Sequence, residues 1–131
     1  MRALDTNVLV RALVLDDAAQ GRRAQACLSA QQVYIPVTVI VELEWVLRSR
    51  YGYSPKAIAD AMEKLAILEN AVVGEQAAVV AAARKMRQGW DFADALHHAL
   101  AAGCGDFATF DTNLARRAGR DDSTAPAVLA I

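Results

Sequence analysis

Short β-prone runs alternate with longer helical stretches from one end of this chain to the other, and that rhythm restricts its fold more than any other feature. RALDT (2–6), VYIPV (33–37), NAVVG (70–74), DFATFDT (106–112) and PAVLAI (126–131) predict strands. Between them, NVLVRALVLDD, AAQGRRAQACLSA, the stretch from Thr38 to Gly52, SPKAIADAMEKLAIL, EQAAVVAAARKMRQG, DFADALHHALAAGCG and NLARRAG predict helices. Ser54 before Pro55 is a helix start, and Gly52, Gly89 and Gly103 or Gly105 are helix stops. Strands separated by helices pair in parallel, and the crossing helices cover both faces of the sheet. The expected fold class is therefore α/β, a three-layer α/β/α sandwich with a central parallel sheet. At 131 residues with no linker, the chain is expected to be a single domain over 1–131. RDDSTAP (120–126) reads as a polar loop within it.

In such a sheet, ligands bind at the carboxyl ends of the strands. Two predicted strands end alike there, in LDTN (4–7) and FDTN (110–113), which places Asp5 and Asp111 on one expected sheet edge. Helix capping explains either Asp alone, since each stands where a helix starts. It does not explain why Asp recurs at a strand end. Glu42, in VIVELEW, has Val39, Thr38, Trp45 and Val46 at the positions three and four away and so lacks a partner on its own helix. Glu44 is satisfied by Arg48 four residues on, as an exposed pair. In WDFADALHH, Asp91 suits an N-cap and Asp94 the third helical position. Ala93, Leu96 and Leu100 would then face the core, with Asp94, His97 and His98 on the polar side. Asp16, Asp17, Asp60, Glu63, Glu69, Glu75, Asp121 and Asp122 read as solvated or capping residues.

Asp5, Glu42, Asp94 and Asp111 come from four segments and would converge on one edge. Unscreened, they would repel one another. Mg²⁺ or Mn²⁺ resolves that conflict, because both prefer oxygen ligands and keep several waters beside a few carboxylates and a substrate phosphate. Such an ion lowers the pKa of bound water and stabilises an in-line phosphoryl displacement, so the chemistry implied is phosphodiester hydrolysis. The net charge of −1 and pI near 6.1 exclude a grip on nucleic acid by bulk charge, although Arg makes up most of the 14 basic residues. Cys27 and Cys104 fit no zinc spacing and are expected to be buried thiols in a reducing cytosol. The N-terminus reads as no signal peptide and no stretch is apolar enough to span a membrane, so a cytoplasmic location is expected.

LDTNVLVRAL, ELEWVLRSRYG, DFADALHHALA and TFDTNLARRA, in this order and spacing, resemble the PIN domain, and most closely the VapC-type toxins of toxin–antitoxin pairs. The resemblance covers essentially the whole chain. It implies a PIN-like α/β sandwich and a Mg²⁺- or Mn²⁺-dependent endoribonuclease whose four acidic metal ligands fall on Asp5, Glu42, Asp94 and Asp111. Asn7 would orient Asp5 or a metal-bound water, Thr109 would add a hydroxyl, and Asp91 is an alternate ligand to Asp94. It further implies an RNA substrate, a homodimer and an inhibitory antitoxin protein. The rival reading is a PIN-like domain that binds RNA or protein without cutting. A haloacid-dehalogenase-type phosphatase needs Asp where Asn7 stands, and a phospho-receiver domain needs an Asp after NAVVG and a late Lys. His97 and His98 read as exposed, Trp45 and Trp90 as core, and Arg11, Arg48, Arg116 and Arg117 as a solvated face with RNA phosphate as the alternative contact.

Overall fold

The computed structural model of the chain describes residues 1–120 and 126–131. Asp121 and Asp122, and most of the polar loop around them, lie outside the described residues. The elements run β1 (Arg2–Ala3), α1 (Thr6–Val14), α2 (Ala18–Ala30), β2 (Val33–Ile35), α3 (Val37–Ser49), α4 (Pro55–Ile67), β3 (Ala71–Val73), α5 (Gln76–Arg87), α6 (Phe92–Leu100), β4 (Asp106–Thr109), α7 (Thr112–Ala118) and β5 (Ala127–Ala130). Every strand pairing among the described residues is parallel, as strands joined through helices require.

The strands form two ladders. β1, β2 and β3 pair in that order, with Ala3 opposite Tyr34 and Tyr34 opposite Val72. β4 and β5 pair separately, with Asp106 opposite Ala127. The continuous sheet expected from the sequence is thus divided, and Asp5 and Asp111 follow strands of different ladders. β1 is also shorter than RALDT suggested, because Thr6 already belongs to α1. Asp5 ends the extended backbone there by accepting a hydrogen bond from the Thr6 N–H.

Side-chain caps start most of the helices. Asp17 Oδ1 accepts from Gln20 N at 3.0 Å, Ser54 Oγ from Ala57 N at 3.1 Å, and Asp91 Oδ1 from Asp94 N at 3.0 Å. Each satisfies an N–H that has no partner within its helix. The helices α4, α5 and α6 pack successively, and Arg87 of α5 ties itself to Asp60 and Glu63 of α4. Helices α1 and α2 meet at Gly21, where a Cβ would stand 3.3 Å from the Arg11 carbonyl oxygen. One apolar core joins both ladders to the helices: Leu9, Val33, Ile35, Ile40, Leu43, Leu47, Ile58, Val79 and Leu96 are buried in it, and Phe107 and Val128 pack against it. Each such side chain contributes about 1.5–3 kcal/mol by leaving water. No helix among the described residues is long and apolar enough to cross a membrane.

Three expectations about burial are corrected. Trp45 is 49% exposed, with the Arg50 guanidinium 6.0 Å from its ring centre, whereas Trp90 is in the core. Cys104 is exposed and Cys27 half-buried. The buried face of α6 is formed by Phe92, Ala95, Leu96 and His98, and Leu100 is exposed. His98 enters the core because both ring nitrogens are satisfied there. Nε2 lies 2.7 Å from the Pro126 carbonyl oxygen and Nδ1 3.1 Å from Lys85 Nζ. The carbonyl can only accept, so Nε2 carries the proton and Nδ1 accepts from the lysine. Trp90 stacks on the ring and Phe107 meets it edge-on.

Candidate active site

The heads of α6 and α7 face a common hollow of about 220 Å³. Asp91 and Asp94 line it from α6, Asp111 and Asn113 from α7, and Arg117 stands one turn beyond Asn113. Gly89 and Trp90, which connect α5 to α6, form another wall. Gly89 has φ +97°, a conformation that side chains with a Cβ rarely adopt, and it turns the chain sharply out of α5.

Asp91 and Asp111 are both caps, as the capping explanation expects. Asp111 Oδ1 accepts from Asn113 N at 2.9 Å and Leu114 N at 3.1 Å, while its own N–H donates to Thr109 Oγ1 at 3.0 Å. All the capping bonds fall on one oxygen, so Oδ2 of Asp111 accepts no hydrogen bond among the described residues. Thr109 therefore serves by fixing the backbone of Asp111. Asp94 is half-buried and its carboxylate caps no helix among the described residues. Burial, reinforced by the charges of Asp91 and Asp111, pushes its carboxyl above the ordinary 3.8, and His97 opposes the rise weakly.

Asp91, Asp94 and Asp111 are thus brought together. Asp5 and Glu42 do not line this hollow and are not among the charges acting on Asp94. Both are exposed, Asp5 at the head of α1 and Glu42 on the second turn of α3. Glu44 departs from its expected exposure. It is only 5% exposed, and its carboxylate takes Arg48 Nε at 2.8 Å. Glu44, and more weakly Asp91, hold the Arg48 guanidinium above its ordinary pKa. An i,i+4 pair reads the same in a sequence whether its acid faces solvent or protein, so the burial of Glu44 left no local signal. Thr6, beside Asp5, keeps a buried hydroxyl with no hydrogen-bond partner among the described residues.

The donor set suits a hard divalent cation in kind: oxygen ligands, clustered negative charge, and a carboxyl whose ionisation the protein resists. Among the described residues, no three acidic, histidine or cysteine side chains form a group that could hold a metal ion. A divalent cation there would have few protein ligands and would keep most of its water.

No curated protein and no solved structure matches the chain. A family model, that of the PIN domain, matches residues 2–120. That span runs from β1 through α7 and includes both Asp-Thr-Asn segments, Glu42 and the whole acidic hollow. With parallel strands, interleaved helices and carboxylates at two neighbouring helix heads, the chain belongs to the PIN domain family.

Proposed function

We propose that this protein is a single PIN domain that hydrolyses RNA internally with Mg²⁺ or Mn²⁺, as the toxin of a VapC-type toxin–antitoxin pair. PIN domains are generally nucleases, and such nucleases typically use divalent cations. The observation that carries the reading is Asp94: a half-buried carboxylate that caps no helix among the described residues, pressed by Asp91 and Asp111 across one hollow. A structural carboxylate would be exposed, paired or capping. This one stores repulsion that a cation relieves.

Asp94 and Asp111 would hold the cation from within the hollow; the family resemblance assigns Asp5 and Glu42 as further acidic ligands, although neither lines the hollow. When bound, the cation supplies Lewis-acid stabilisation of charge on the phosphoryl oxygens. Asp91 holds the head of α6 and thereby sets the direction of Asp94. Asn113, exposed on the same wall, offers an amide to substrate oxygens. A cytoplasmic homodimer held in check by an antitoxin completes the proposal and rests on the resemblance alone.

Cleavage of total bacterial RNA in Mn²⁺, read by 5′-end mapping, tests it. Wild type should cut, chelator should abolish the cuts, and Asp94→Asn should lower the rate at least 100-fold, the scale of losing a group central to the chemistry. Cuts that persist undiminished in purified Asp94→Asn would sink the assignment. RNA bound but uncut by wild type in Mn²⁺ would favour the rival binding role.

A further inference from the structure

A phosphodiester entering the hollow meets Asp91, Asp94 and Asp111, and a single divalent cation does not balance three carboxylates. A cation of the chain that faces the incoming phosphate would offset the remaining charge. Arg117 is the one basic side chain among the residues lining the hollow. Although it shares those walls with three acids, it forms no ion pair with any of them within 4.0 Å among the described residues. Its guanidinium lies over Gly89 instead, where a Cβ would stand 3.3 Å from Nη1. The left-handed φ of Gly89 and its missing side chain together leave the space that the guanidinium occupies. The fork thus lies beside the acids without an ion pair or hydrogen bond among the described residues. Arg116, its neighbour on α7, differs in both respects: it is outside the hollow and reaches back to Asn113 Oδ1 at 3.5 Å.

We infer that Arg117 is the substrate-binding residue of this site, gripping a backbone phosphate of single-stranded RNA next to the acidic hollow. The inference rests on the nuclease reading and adds to it the group that overcomes repulsion between an acidic site and a polyanion. A planar fork with parallel N–H donors matches two phosphate oxygens, which a lysine ammonium does not.

The test measures binding of a fluorescent single-stranded RNA oligonucleotide of mixed sequence, by anisotropy in Mg²⁺ across a salt series. The parent is full-length Asp94→Asn, which removes turnover. Adding Arg117→Gln should weaken binding about tenfold. It should also reduce the slope of log affinity against log salt by about 0.7, one phosphate contact on a single strand. Arg117→Lys should keep the slope and lose affinity. Arg116→Gln removes the same charge from the same helix and should change affinity less than twofold. Circular-dichroism melting of each variant verifies folding, and the exposed position of Arg117 predicts no change there. Equal binding by the parent and its Arg117→Gln form would overturn the clamp and leave the nuclease reading standing. Equal losses from Arg116→Gln and Arg117→Gln would also overturn it, reducing the effect to bulk charge. A parent that binds no RNA would remove both the clamp and the RNA-cleaving function it rests on.

Discussion

Asp94 carries a charge in a place that resists one. Its folded-state pKa is raised, first by burial and then by Asp91 and Asp111. A raised carboxyl pKa means that the folded chain binds the proton more tightly than the unfolded chain does. The protein is therefore favoured below the ordinary value of 3.8, loses stability as pH climbs through the folded value, and stays lower at neutral pH. Without divalent ions, Asp94→Asn should melt above wild type at neutral pH, and the difference should close below 3.8. Melting curves across pH check this, and a lower melting temperature for Asp94→Asn at neutral pH would mean that the carboxylate makes favourable contacts. Mn²⁺ should raise the melting temperature of wild type more than that of Asp94→Asn, since it binds the folded acids. The sequence singled out Asp94 by its place at the head of a helix, on the polar side of that helix. It read Asp91 as the N-cap and Asp94 as the ligand, and kept Asp91 as an alternate because both lie in the same first turn. The hydrogen bond from Asp94 N to Asp91 Oδ1 makes Asp91 the cap.

Helix starts were the most legible elements, because a cap acts within three or four residues. Ser54 before Pro55 is an example, and Ser54→Ala should cost about 1 kcal/mol in urea unfolding through the unsatisfied Ala57 N–H. Helix faces were less legible. In α6 the spacing of Ala93, Leu96 and Leu100 suggested one face, yet the core takes Ala95 and His98. No local rule announces that a histidine will find Lys85 on α5 and the Pro126 carbonyl next to β5. That arrangement fastens three elements, so His98→Ala should cost about 2–4 kcal/mol, combining a cavity with lost hydrogen bonds to buried groups. His97→Ala, on the exposed side, should fall within about 0.5 kcal/mol of wild type. Comparable losses for the two would refute the role of His98 as a fastening.

At the scale of the molecule, two ladders share one core but no strand pairing among the described residues. β2 is central in its ladder and buries Val33 and Ile35, whereas β5 pairs on one side only and leaves most of its residues exposed. Amides of β5 should therefore exchange with deuterium sooner than those of β2, and equal protection would show that the ladders open as one unit. The alternation of strand and helix, the caps and the parallel sense of the strands could be read from the sequence, because each rests on periodicity or on contacts a few residues apart, and the same reading offered Asp5, Glu42, Asp94 and Asp111 as candidate acids. Which of those acids stand together could not. Asp94 comes near Asp111 because the heads of α6 and α7 line one hollow, Glu44 is buried by the way α3 seats on the core, and Arg117 lies over Gly89 from nearly thirty positions away. Those juxtapositions depend on how rigid elements pack at long sequence separation, and only the tertiary structure decides that.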